Sequence, residues 1–150
     1  MWRKPLALTK EKEDMRNDLL IGGAVDNIIL AKTFTVSGNN LSADSDQYIF
    51  VKQGATSPQV VAAAAGDALL GVSQGTNTTG RGVAVGLVGV TKLVIGAAVT
   101  SGQRLKSDAT GRGIRHLGVG AYGAVALEDG STANDVIEAL LTTGCFTTSA

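Results

Sequence analysis

The clearest chemical spacing in the chain is Gly118-Val119-Gly120-Ala121-Tyr122-Gly123, which fits the GxGxxG pattern of a dinucleotide-binding turn. Such glycines serve a nucleotide when they follow a buried strand and open a helix, so that backbone N–H groups face the pyrophosphate. The flanks do not suit that use. Gly113-Ile114-Arg115-His116-Leu117 reads as a poor buried strand, and only 27 residues follow Gly123. With 20 glycines in 150 residues the spacing arises readily by chance. No nucleotide or other cofactor is expected.

His116 and Cys145 are the single His and the single Cys. One His rules out a multi-histidine metal site, and one Cys rules out an internal disulfide. A general base needs a positioned nucleophile or substrate beside it. Cys145, in Thr142-Thr143-Gly144-Cys145-Phe146-Thr147-Thr148, reads instead as a small packed side chain. The carboxylates Asp44 with Asp46, Asp67, Asp108 and Glu128 with Asp129 sit among turn formers and read as solvated turn acids. Asp44-Ser45-Asp46 lacks the Gly and distal Glu of an EF-hand loop. Asn40-Leu41-Ser42 and Asn77-Thr78-Thr79 fit the glycosylation pattern, which has meaning only in a secreted chain. The expectation is a protein with no catalytic residue and no metal ligand, and not an enzyme.

Charge is balanced overall, with 13 Lys+Arg against 13 Asp+Glu, but it is segregated. Residues 81–115 carry Arg81, Lys92, Arg104, Lys106, Arg112 and Arg115 against Asp108 alone; residues 116–150 carry Glu128, Asp129, Asp135 and Glu138 with no Lys or Arg. A single-strand nucleic-acid groove would interleave aromatics with its basic residues. None lies between Phe50 and Tyr122, so no nucleic-acid partner is expected. Arg81, Arg104, Lys106, Arg112 and Arg115 are candidates instead for contacts between copies or with a charged protein surface. No run approaches 18 apolar residues, so no membrane is expected either. The start lacks the apolar core of a signal peptide, which points to the cytoplasm of the producing cell.

The elements that must carry these residues are strands. Gly, Ala, Thr and Val dominate, and aromatics make up 4%. Small and β-branched residues punctuated by glycine favour short strands joined by turns. Strands are predicted at Ile28–Val36, Gln47–Gln53, Gln59–Ala65, 68–73, Val83–Ile95 and Ala121–Leu127, with another near Ala98-Val99 or Arg104-Leu105-Lys106. In the longest, Val83, Val85 and Leu87 share one face, while Ala84, Gly86 and Val88 share the other. Asp135–Leu141 fits a helical stripe behind Thr132 and a buried strand equally well. Thr79-Gly80-Arg81-Gly82-Val83 is echoed by Thr110-Gly111-Arg112-Gly113-Ile114, which reads as two similar turns at strand starts.

Residues 1–20 stand apart, with nine charges against 17 in the other 130 residues. Met15 and Leu19, behind Thr9, allow a short helix near 10–20. The expected organisation is an N-terminal arm at 1–20 and a β domain at 21–150. The lone Trp2, with Arg3, Lys4, Pro5, Leu6 and Leu8, is the candidate partner contact of the arm.

The order of motifs from Ala65 to Leu141 carries a resemblance. It runs Ala65-Gly66-Asp67-Ala68-Leu69-Leu70-Gly71-Val72, then Gly82-Val83-Ala84-Val85-Gly86-Leu87-Val88-Gly89-Val90. Val99-Thr100-Ser101-Gly102-Gln103-Arg104-Leu105-Lys106-Ser107-Asp108-Ala109-Thr110-Gly111 follows, then Gly123-Ala124-Val125-Ala126-Leu127 and Asp135–Leu141. This half of the chain resembles the capsid decoration (cement) proteins of tailed bacteriophages. The resemblance implies a small β-barrel or tulip-like β domain, with 135–141 as a strand. It implies a structural virion protein on the outer capsid surface, made in the host cytoplasm. Its partner would be the major capsid protein, bound as a homotrimer near three-fold positions. The longer charged N-terminus and the acidic stretch 41–48 depart from the family pattern. A receptor- or glycan-binding β module of a spike or fibre is the alternative, which the scarcity of aromatics disfavours.

Overall fold

A computed structural model describes residues 27–38 and 41–146. Nine strands run in chain order: β1 (Asn27–Val36), β2 (Phe50–Gln53), β3 (Gln59–Ala62), β4 (Gly71–Ser73), β5 (Gly82–Val94), β6 (Arg104–Ser107), β7 (Gly113–Arg115), β8 (Gly120–Ala126) and β9 (Val136–Phe146). They form one mixed sheet in the order β1-β3-β2-β4-β5-β9-β8-β6-β7. The β1–β3 pair is parallel, and the other strand pairs are antiparallel.

The expected small β-barrel or tulip-like domain is corrected to this mixed sheet, which is not a barrel. β1 also pairs with β5, so the first five strands curl back on themselves. β9, β8, β6 and β7 then run on from β5, and β7 ends the sheet as an edge. The physical reason is that the apolar residues divide between two cores. One holds Phe50, Val72, Leu93, Ile95, Leu105 and Ile137; the other holds Val36, Leu41, Ile49, Val51, Val60, Val83 and Val85. Adjacent residues Phe50 and Val51 belong to different cores, so β2 is apolar on both faces. The same division marks the end of β5, where Leu93 faces one core and Val94 packs against the other.

Gly89 lies in the part of β5 where β1 shifts register. It has φ +118°, and a Cβ there would run into the backbone carbonyl of Asn27. β1 changes register twice against this stretch, between Ile28 and Leu30 and between Leu30 and Ala31. These bulges let one long strand serve two cores, at the cost of its strict alternation.

The described residues contain no α-helix; their single helical piece is a 3₁₀ turn at Asp44–Asp46. The arm at 1–20, including its expected helix near 10–20, lies outside the described residues, and so do residues 21–26 of the expected domain. The segment open to either reading, 135–141, is strand from Val136 onward. Asp135 there caps a turn: its carboxylate accepts hydrogen bonds from the Thr132 N–H at 2.9 Å and the Thr132 hydroxyl at 2.9 Å. The expected strand at Gln47 begins only at Phe50, because Tyr48 takes φ +60° and breaks the extended run.

Candidate functional site

The candidate basic residues fall into two places. Arg104 and Lys106 lie on β6, Arg115 on β7 and Arg112 in the turn between them. Arg115 stands directly opposite Leu105, and Ile114 opposite Lys106. Four of the five cations therefore share one hairpin at the open end of the sheet. Arg81 does not join them; it sits in the turn before β5, where its carbonyl accepts from the Val36 N–H at 2.8 Å.

The hairpin turn is built around Asp108. Its Oδ1 accepts from the Thr110 N–H at 2.8 Å, the Thr110 hydroxyl at 3.0 Å and the Arg112 N–H at 3.0 Å. Its Oδ2 accepts from Arg112 Nε at 2.9 Å. Burial pushes the Asp108 carboxyl up, but these hydrogen bonds and the Arg112 charge together hold it below its ordinary value. Arg112 also donates from Nη1 to Asn134 Oδ1 at 3.1 Å. Its guanidinium is thus committed to the turn. Arg104 lies over the Tyr122 ring, 5.5 Å from its centroid, and Arg115 is exposed at the sheet edge.

The acids of the second half are committed in the same way. Asp129 accepts from the Ser101 N–H at 2.7 Å, and Glu128 from the Glu138 N–H at 2.8 Å. Asp135 lies below its ordinary value, chiefly through the hydrogen bond from the Thr132 N–H. Asp67 is lowered too, first by the side-chain hydrogen bond from Lys52, whose Nζ lies 2.7 Å from its Oδ2.

A cleft of about 600 Å³ is lined by Ser37, Asp46, Lys52, Ala63, Ala64 and Thr110, among others. A smaller hollow beside it shares Asp46 and Thr110 and adds Arg112 and Asn134. Lys52 is paired with Asp67, and Asp46 Oδ2 accepts from the Ala43 N–H at 2.9 Å. The polar groups here hold loops together, and the Thr110 hydroxyl that lines both hollows donates to Asp108 Oδ1 within the turn.

The GxGxxG spacing lands on a loop and the start of β8, with Gly118 at φ +81° and Gly120 at φ +122°. A strand follows it where a nucleotide site needs a helix. The His116 ring packs 5.9 Å from the Tyr122 ring, centroid to centroid. Cys145 pairs in register with Ala121 on β8. Among the described residues no group of three or more His, Cys, Asp or Glu could hold a metal ion. The proposed arm contacts Trp2, Arg3, Lys4, Pro5, Leu6 and Leu8 lie outside the described residues.

One feature escaped the sequence reading. Across the outer side of β5, β9, β8 and β6, directly opposed residues form the row Val90, Leu140, Val125, Arg104. Val136 and Leu127 lie on the same side, since they are an even number of positions from Leu140 and Val125. Leu127, Val136 and Leu140 are 42%, 45% and 36% exposed. A signal was available in the alternation Val136, Glu138, Leu140 on β9, but it needs the register to be read.

The fold and these sites define a mainly β domain that displays a basic edge and an apolar sheet face. No protein-family model matches the chain, and no curated protein matches it.

Proposed function

We propose that this chain is a structural virion protein, a capsid decoration protein that binds the outside of a bacteriophage shell and stabilises it. The observation that carries the reading is the order of motifs from Ala65 to Leu141. Each falls on a distinct piece of the sheet: Gly71–Ser73, Gly82–Val94, Arg104–Ser107, Gly120–Ala126 and Val136–Phe146. Gly102 and Gly111, which punctuate the Val-Thr-x-Gly turn pattern, take φ +86° and φ +90° at tight turns that favour glycine. In this reading the partner is the major capsid protein, and copies associate as homotrimers near three-fold positions. The protein acts as a binding module, not as an enzyme. The Arg104, Lys106 and Arg115 edge supplies steering and register, and the arm with Trp2 supplies the anchor.

The physical logic is that of a rivet. A shell under internal pressure fails at the joints between subunits. A rigid sheet that bridges a joint adds interface outside the lattice, and about 1,600 Å² is enough for specific binding. Three linked copies raise occupancy through effective concentration.

The test is to mix the purified protein with undecorated capsids and image the particles. Added density at regular outer positions is the expected result; bare particles at saturating protein would end the proposal. Trp2→Ala should then lower occupancy by about tenfold or more if Trp2 is an anchor, with the Tm of the free protein unchanged. Unchanged occupancy with a lowered Tm would instead mean that Trp2 packs on its own domain.

A further inference from the structure

Single exposed apolar side chains are ordinary, but a gathering of them marks a surface that meets a partner. Such a gathering stands at the start of β1. Ile29 and Leu30 are 76% and 51% exposed, and Val88, opposite Leu30 on β5, is exposed as well. The strand register creates it. Ile28 stands opposite Gly89 and Leu30 opposite Val88, so Ile29 is the extra residue of a bulge with no counterpart on β5. β3 joins the other side of β1 only at Thr35 and Val36, so among the described strands none flanks that side of Ile29 and Leu30. Neither core includes Ile29, Leu30 or Val88. The single charge in β1 is Lys32, also exposed, just beyond this knob.

The cleft of about 600 Å³ lies at the other end of the same strand, where Ser37 and Gly38 form part of its wall. Ile29 and Ser37 are eight positions apart, roughly 26 Å along an extended strand. Val61, Ala62, Ala64 and Ala109 give the cleft short apolar side chains. Lys52 in its wall is neutralised by Asp67. The net charge there is that of Asp46, which lines the cleft, and of Asp44, exposed in the same 3₁₀ turn.

We infer that the start of β1 in one copy seats in this cleft of a second copy, with Ile29 and Leu30 against the alanines and Lys32 toward Asp44 and Asp46. Three properties select a second copy as the occupant. The charges are complementary, one cation beside the knob and two acids at the cleft. The shapes are complementary too, since a bulged strand is convex and the cleft concave. The two surfaces also lie at opposite ends of one strand, so a chain cannot fill its own cleft with its own knob. A contact between unlike surfaces is heterologous, the kind that generates rings when the rotation closes. A two-fold contact of knob on knob would bring Lys32 toward Lys32 with no acid between them. The contact says how the copies in the shell-binding reading meet, and it rests on that reading only for their number.

The test follows self-association of the full chain by sedimentation at rising concentration, with no capsid present. Its failure therefore leaves shell binding to be judged by imaging of decorated particles. The parent should form a closed oligomer. Ile29→Asp with Leu30→Asp, and separately Ala64→Trp with Ala109→Trp, should each weaken association by about thirtyfold or more. All four positions are exposed, so the β circular-dichroism signal and Tm should stay close to the parent's. If either pair loses that signal, Leu30→Ser or Ala109→Trp alone takes its place. Mixing the two variants is the decisive step. The knob variant keeps its cleft and the cleft variant keeps its knob, so the mixture should form heterodimers where each variant alone is monomeric. A parent that stays monomeric at the highest soluble concentration would overturn the inference. So would association that neither variant weakens, or a mixture without heterodimers. Loss of association in the knob variant alone would assign the knob to a two-fold contact and overturn it too. Lys32→Glu should also weaken association, and Asp44→Lys in the same chain should restore it; no restoration would overturn the placement of Lys32 at the cleft.

Discussion

Around the Val-rich core, each of β1, β2, β3 and β4 has a hydrogen-bonded neighbour on both sides, because β1 reaches back to β5. Around the other core the sheet runs out at β7, three residues long, carrying Arg115 at its end. The two regions use different materials. The first is filled mostly by β-branched residues, including Val36, Ile49, Val51, Val60, Val83 and Val85. The second combines Phe50, Leu93, Ile95, Leu105 and Ile137 with the buried alanines Ala63, Ala124, Ala126 and Ala139, and its turns are tied by Asp108, Asp129 and Asp135. Where backbone pairing closes a region, β-branched side chains predominate in its core. Where the sheet stays open, turn-capping carboxylates hold the end, and a short charged strand blunts the edge.

The strongest challenge to this contrast is to cut each core once. Phe50 and Leu41 are both fully buried, one in each core. Phe50→Ala should cost about 3–5 kcal/mol and Leu41→Ala about 2–5 kcal/mol. Because β2 and β5 serve both cores, each substitution should lower a single cooperative melting transition. Two separated transitions in either variant would show that the regions fold independently, and the shared strands would lose their meaning. Next in size is the junction itself. Gly89→Ala would place a Cβ against the Asn27 carbonyl and force a non-glycine residue to φ +118°. The expected loss is about 3 kcal/mol. A Tm within a degree of the parent would mean that β1 yields there at no cost.

These particulars also show how far the sequence could be read. β1, β5 and β8 were legible because apolar runs with glycine turns at both ends leave few alternatives. The division of Phe50 and Val51 between two cores was not legible, since a continuous apolar run reads only as buried. β7 was marked only as a strand start at Gly113-Ile114 and not as an element, because Gly-Ile-Arg has no periodicity of its own and is held by pairing with β6. The barrel expectation came from resemblance, and strand content cannot distinguish a closed sheet from an open one. The charge segregation was plain in the sequence. Its use was not, because hydrogen bonds from Ser101, Thr110 and Thr132 to the acids depend on turns that only the fold creates.

Removing one such tie gives a smaller effect. Asp108→Ala strips four hydrogen bonds from the β6–β7 turn and should cost about 1–3 kcal/mol. The same group makes the open end acid-sensitive. Asp108, Asp135 and Asp67 all lie below their ordinary value of 3.8 in the folded protein. In that window the unfolded chain binds more protons, so the stability these groups supply is present above about pH 4 and lost as pH falls through their folded values. Tm measured from pH 6 to pH 2.5 should therefore drop below about pH 4, and the drop should be shallower in Asp108→Asn. An identical acid profile in that variant would remove Asp108 from the account.

The smallest effect belongs to the Lys52–Asp67 pair, which links β2 to the loop before β4 and so tests whether the closed region leans on charge at all. The ions meet at 2.7 Å, but the side chains are 35% and 26% exposed, so water screens them. Asp67 has a second task that Lys52 lacks: its Oδ2 accepts from the Ala64 N–H at 2.7 Å. Lys52→Ala therefore leaves Asp67 still bonded to the backbone, whereas Asp67→Ala removes both the ion pair and the turn cap. The two single variants should be unequal, with Asp67→Ala the more damaging. The coupling in a double-mutant cycle should fall within about 1 kcal/mol and shrink in 1 M salt. The backbone bond is not screened in this way, so the excess cost of Asp67→Ala should persist at high salt. A coupling well above that limit, insensitive to salt, would mean that the closed region depends on a desolvated ion pair rather than on its paired strands.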